Sequence, residues 1–152
     1  MVLKIPPIKL NNNSEIPIIG LGTWQLKGKK CIEIIEKALE LGYNHLDTAE
    51  SYDNETEIGK AIKGYKREEL FITSKVWRDN LTYSGIIASC EQSCARMETP
   101  FIDLYLLHWP DKKSNTEEIF KAFKELYDSK LIKSFGVSNC TINHLNQFNK
   151  YS

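Results

Sequence analysis

Short apolar stretches recur along this chain at a regular spacing. Ile18–Gly22, Tyr43–Leu46, Leu70–Ser74, Ile102–Leu107 and Ile132–Val137 are short apolar runs that read as strands. Each is followed by a stretch of helical character: about Lys29–Leu41, Glu55–Lys63, Thr82–Met97, Thr116–Ser129, and a last helix from Thr141 that is expected to run to Ser152. Successive strands begin roughly 25–32 residues apart, the size of a βα unit. Five such units in a row predict an α/β fold with parallel strands. The strands read as apolar on both faces, as buried parallel strands are. Ahead of them, residues 8–18 read as a β-hairpin turning at Asn11-Asn12-Asn13-Ser14, because Asn tolerates left-handed turn conformations. Pro6, Pro7 and Pro17 keep that hairpin at an edge. No linker or low-complexity tract interrupts the pattern, so residues 1–152 read as one domain.

In parallel α/β folds, ligands bind outside the carboxyl ends of the strands. The first strand leads to Gly22, Thr23 and Trp24. The second leads to Asp47 and, five residues on, Tyr52. The third leads to Lys75 and Trp77, the fourth to His108 and Trp109, and the fifth to Ser138 and Asn139. Each residue alone has an ordinary structural explanation. A lysine after a strand is normally solvated, a histidine beside Trp and Pro normally packs, and an aspartate there caps or turns the chain. Those explanations do not account for all of them falling at one end of one sheet.

Asp, Tyr, Lys and His together suit one kind of chemistry. A tyrosine is a weak acid, with an ordinary pKa of about 10. An ammonium close to a phenol favours the phenolate, and an aspartate paired to that ammonium fixes its direction. A histidine can share the proton or orient a substrate oxygen. Such a group suits protonation of a carbonyl oxygen while hydride arrives at carbon. No side chain donates hydride, so a nicotinamide cofactor is implied. Ser138 and Asn139 stand where they can hold its carboxamide.

Composition narrows the alternatives. Lys plus Arg and Asp plus Glu each number 20, so there is no basic field for nucleic acid. No apolar run approaches a membrane span, and the start MVLKIPPIKL lacks a signal-peptide core, so a cytoplasmic location is expected. Cys31, Cys90, Cys94 and Cys140 lack Cys-x-x-Cys spacing and are expected to be reduced and structural, with no metal site. The first strand is not followed by G-x-G-x-x-G, which disfavours a Rossmann-type dehydrogenase.

The stretches IPIIGLGTW (Ile16–Trp24), GYNHLDTAESYDNETEIG (Gly42–Gly59), LFITSKVW (Leu70–Trp77), IDLYLLHWP (Ile102–Pro110) and GVSN (Gly136–Asn139) resemble, in order and spacing, the aldo-keto reductases. That resemblance implies the N-terminal hairpin and first five units of a (β/α)₈ barrel, and NADPH-dependent reduction of aldehydes and ketones. It implies Tyr52 as proton donor, supported by Asp47 and Lys75, with His108 orienting the carbonyl. It places Gly22, Thr23, Trp24, Asp47, Ser138 and Asn139 at cofactor-binding positions, and Trp24, Trp77, His108 and Trp109 at the substrate pocket. Against the family's eight units, five read as a truncated barrel. Three units that carry most of the grip on the cofactor lie outside them. The alternative is a catalytically inactive relic or interaction module that keeps the motifs by descent. Unpaired sheet edges favour self-association, so sedimentation of this chain is expected to report a dimer or larger species. A cooperative, soluble monomer is the contrary result.

Overall fold

The computed structural model describes residues 5–151. A two-stranded antiparallel hairpin comes first, β1 (Pro7–Lys9) and β2 (Glu15–Pro17), paired through Ile8 and Ile16. Its turn holds Asn13 at φ 66°, in the left-handed region.

A five-stranded parallel sheet follows: β3 (Leu21–Gly22), β4 (His45–Asp47), β5 (Phe71–Val76), β6 (Leu104–Leu107) and β7 (Phe135–Val137). Its strand order is the order in the chain, with β3 and β7 at the two edges. Helices α1 (Gly28–Glu40), α2 (Glu55–Ile62), α3 (Tyr83–Arg96), α4 (Thr116–Asp128) and α5 (Ile142–Phe148) alternate with the strands, each packing on the next. This is the wall of a (β/α)₈ barrel over five of its units. Local chemistry sets the helix starts. The Thr82 hydroxyl accepts from the Gly85 amide, and Asn115 accepts from the amides of Glu117 and Glu118.

The two faces of the sheet are chemically different along β4 and β5, which corrects the expectation of apolar faces for those two strands, while β6 is apolar on both sides. The outer face supplies Leu46, Ile72, Val76, Tyr105 and Leu107 to a buried core shared with Ile35, Ile58, Ile86, Ile119 and Phe123 of the helices. The inner face is polar along β4 and β5, at His45, Asp47, Thr73 and Lys75, and apolar along β6, at Leu104 and Leu106. Register places Gly22, Asp47, Thr73 and Leu104 in one row, and Lys75, Leu106 and Gly136 in the next. Because side chains alternate along a strand, every second residue of β4 and β5 is turned away from the helices and toward the barrel interior.

Several boundaries also differ from expectation. Strand β3 is only two residues long, and Ile18 stays with the hairpin, its amide donating to the Pro6 carbonyl at 3.2 Å. Strand β7 begins at Phe135; Ile132 pairs with Ile102 only as an isolated parallel bridge, its own amide donating to the Leu126 carbonyl at the end of α4. Strand β5 extends to Val76, so Lys75 lies on the strand and not after it. Helix α5 stops at Phe148 instead of continuing. Lys150 and Tyr151 donate to Gln147 and Phe148, the three-residue spacing that tightens a last turn. Ser152 lies outside the described residues.

Candidate active site

The inner face of β4 and β5 brings an acid and a base together. Lys75 Nζ donates to Asp47 Oδ1 at 2.5 Å and to the Thr48 carbonyl at 2.8 Å. Lys75 is 6% exposed, so a carboxylate and a carbonyl replace most of the water around its ammonium. After β4 the chain makes a short 3₁₀ turn, Glu50–Tyr52, which swings Tyr52 over this pair. Lys75 Nζ lies 5.1 Å from the centre of the Tyr52 ring.

His108 follows β6 and completes the cluster. Its ring meets Tyr52 edge-on at 5.5 Å and Trp77 edge-on at 5.3 Å. Its Nδ1 lies 3.3 Å from Ser51 Oγ. Burial, and then the Lys75 ammonium, lower the His108 pKa, with Asp47 opposing them. The imidazole is therefore neutral at neutral pH.

The turn that carries Tyr52 is anchored at both ends. The Glu50 carboxylate accepts from the Trp77 amide, and from Asn80 Nδ2 at 3.1 Å. Lys27 Nζ donates to the carbonyls of Tyr52 and Asp53 at 2.5 and 2.9 Å. Beneath the turn, buried Asn54 accepts from the Thr48 hydroxyl and donates to the carbonyls of Thr23 and Leu26. These brackets tie β3, β4 and the turn into one unit.

The structure joins Asp47, Tyr52, Lys75, His108 and Trp77 at one place, with Gly22 beside Asp47 in the register. A Cβ on Gly22 would meet nothing within 4 Å, so open space stands beside Asp47. Asn139 donates to the His108 carbonyl at 2.8 Å and to Ser138 Oγ at 3.2 Å, which places both residues at the rim of the cluster. Thr23 sits behind the cluster. It is fully buried, with its amide and hydroxyl both donating to the Asp47 carbonyl, so it backs Asp47 instead of lining the cleft. Trp24 and Trp109 stand 67% and 46% exposed, and among the described residues neither stacks on another ring. Their part of a pocket is not formed by these five units. Lys27, Glu50, Ser51 and Asn54 also support the cluster. Each belongs to a polar stretch that reads as surface loop, and only their tertiary partners distinguish them.

A second histidine shares the inner face. His45 lies 3.0 Å from Thr73 Oγ1 through Nε2 and meets Phe71 edge-on. Burial lowers its pKa, aided by Lys75 and opposed by Asp47, the Pro17 carbonyl and Asp103. Both histidines are thus easier to protonate in the unfolded chain. Their contribution to stability is fully present above the unfolded value of about 6.5, and is lost as pH falls through the lower folded values. Urea midpoints are expected to decline from pH 7.5 toward about pH 5. A His45→Gln, His108→Gln double variant is expected to flatten that decline, and an unchanged slope would assign it to other groups.

The model of the aldo/keto reductase family matches residues 18–152. The chain belongs to that family. It is 40% identical over 146 residues to a glyoxal reductase of Bacillus subtilis, covering 94% of this chain and 52% of the relative. It is 43% identical over 141 residues to a methylglyoxal reductase of Escherichia coli, covering 91% and 50%. Among solved structures, an aldo-keto reductase of Bombyx mori in complex with NADP superposes with a TM-score of 0.90 at 29% identity, over 99% of this chain and 56% of that one. The chain therefore spans about half the length of these family members. Among the described residues, no helix is long and apolar enough to cross a membrane.

Proposed function

We propose that this protein reduces small aldehydes and ketones to alcohols with NADPH, Tyr52 being the proton donor. The carrying observation is the buried Lys75–Asp47 pair set beside Tyr52 and a neutral His108. Gly22, Asp47, Ser138 and Asn139 would hold the nicotinamide half of the cofactor, with the open space at Gly22 leaving room for it. When bound, NADPH supplies hydride to the carbonyl carbon.

The residues of the chain do the rest. His108 Nε2 donates to the carbonyl oxygen and fixes its position. The Tyr52 hydroxyl gives its proton to that oxygen, leaving a phenolate. Lys75 offsets the phenolate's charge, in a setting where little water competes. Asp47 and the Thr48 carbonyl keep Lys75 in place. The glyoxal and methylglyoxal reductases among the relatives support a small dicarbonyl as substrate. The test mixes the protein with NADPH and methylglyoxal and follows consumption of NADPH. Carbonyl-dependent oxidation of NADPH is expected. No NADPH binding at about millimolar concentration, well above a typical KM, would overturn the proposal and favour the interaction module.

A further inference from the structure

We propose that Lys27 is a positioning residue for Tyr52, its ammonium holding the main chain of the turn that aims the phenol. The functional meaning of this contact rests on the proposed carbonyl reduction, and its geometry on the chain alone. Lys27 is poorly suited to its own helix. It occupies the N-cap of α1, where its side chain makes no capping bond. Ser, Thr, Asp and Asn serve that position because they accept from the first free amides. A lysine side chain accepts nothing, and its charge meets the positive end of the helix dipole. No acid in the first turn of α1 offsets that charge. A residue that breaks a local rule is expected to find its compensation elsewhere in the fold.

The compensation lies at Tyr52. Lys27 Nζ donates to the Tyr52 carbonyl at 2.5 Å and to the Asp53 carbonyl at 2.9 Å, and lies 3.4 Å from Asp53 Oδ2. An ammonium only donates and a carbonyl only accepts, so the contact has one direction. The segment it grips has little else to hold it. On one side the Thr48 amide donates to the Thr73 carbonyl, and on the other buried Asn54 donates to Thr23 and Leu26. Glu50 ties the start of the turn to Trp77 and Asn80. The crest between closes through two internal bonds, from the amides of Tyr52 and Asp53 to the carbonyls of Ala49 and Glu50 at 3.0 and 3.2 Å. Among the described residues, Lys27 supplies the one hydrogen bond that reaches the Tyr52 main chain from outside the turn. Asp53 sits at φ 49°, a left-handed conformation that a residue with a Cβ keeps only where its surroundings hold it. The Tyr52 hydroxyl has no hydrogen-bond partner among the described residues, so its direction follows from the backbone and from the ring's contacts with His108 and Lys75. Lys27 itself is anchored, its carbonyl accepting from the amide of buried Cys31 at 3.2 Å. The clamp thus carries the position of α1 to the proton donor.

The test is Lys27→Ser, which exchanges the clamp for a better helix cap, with Lys27→Arg as the conservative variant. A residue that only stabilised the fold would lose stability and activity together, and here the two are expected to part. In Lys27→Ser, kcat for methylglyoxal with NADPH is expected to fall about three- to tenfold, the worth of one exposed hydrogen bond felt at the transition state. KM and NADPH affinity are expected to hold, and the urea midpoint to stay level or rise. Lys27→Arg keeps a cationic donor and is expected to recover most of kcat. Amide hydrogen exchange reads the clamp without cofactor or substrate. The Tyr52 and Asp53 amides are expected to exchange about three- to tenfold faster in Lys27→Ser, while those of β4 and β5 stay native. Unchanged exchange at Tyr52 and Asp53, or a kcat within about twofold of native, overturns the proposal even if the protein reduces carbonyls. So does a lowered midpoint with faster exchange across the whole sheet, which would make Lys27 a residue of general stability. A protein that reduces no carbonyl, but whose exchange at Tyr52 follows Lys27, overturns the proposed function and leaves the clamp standing.

Discussion

Tyr52→Phe is expected to lower kcat/KM for aldehyde reduction by about two to four orders of magnitude, the usual worth of a positioned general acid. That corresponds to roughly 3–5 kcal/mol of barrier. The substitution removes one oxygen and leaves the ring. The edge contact with His108 and the approach of Lys75 to the ring do not depend on the hydroxyl. Lys27 grips the carbonyl of residue 52, not its side chain, so the turn is kept. Folding stability and NADPH affinity are therefore expected to stay close to native, with the loss in kcat. Any remaining activity would reflect hydride delivery to a carbonyl that His108 still orients. Turnover within about tenfold of native would remove Tyr52 from the chemical step.

Asp103→Ala is expected to cost about 3–5 kcal/mol of stability, the range for stripping one partner from a buried ion pair. Asp103 lies just ahead of β6, and its side chain is 7% exposed. Its Oδ2 accepts from Arg67 Nη2 at 2.5 Å and from the Ile72 amide at 2.9 Å, and its Oδ1 meets Lys133 Nζ at 3.2 Å. Arg67 is nearly as buried. It also donates to Thr99 and to the carbonyls of Leu70 and Phe101, and its guanidinium lies 4.0 Å from the centre of the Phe101 ring. Removing the carboxylate leaves this guanidinium without its counter-charge and a β5 amide without its acceptor. Lys133→Ala is the control, since Lys133 is about half exposed and its pair is expected to contribute under about 1 kcal/mol. Urea denaturation of the two variants decides the matter. A loss below about 1 kcal/mol in Asp103→Ala would mean that the cluster is satisfied without it. The effect should reach the site as well. The clamp fixes how β5 starts against β6, and the far ends of those strands carry Lys75 and lead to His108.

The order of elements, and the residues that the fold gathers at Asp47, Tyr52, Lys75 and His108, are already legible in the sequence. Apolar runs at βα spacing place helices that the structure reproduces to within a residue or so, apart from the end of α5, because core burial imposes a period that survives in the letters. Asp47, Tyr52, Lys75 and His108 are legible for a related reason. Parallel strands deliver their carboxyl ends to one side, so residues far apart in sequence can be assigned to one place without coordinates. Alternation within short strands is harder to see. His45, Asp47, Thr73 and Lys75 reveal a polar inner face only once the register is known. The supporting groups emerge only from the folded contacts. Thr23 turns its hydroxyl into Asp47, Asn54 braces three segments, Glu50 reaches the Trp77 amide, and Ser51 meets His108. These contacts join residues up to 57 positions apart. Their side chains are short and polar, equally suited to solvent, and nothing in residue type or spacing selects a partner. That selection is made when the sheet curves and brings the loops after β4, β5 and β6 together above one row of side chains.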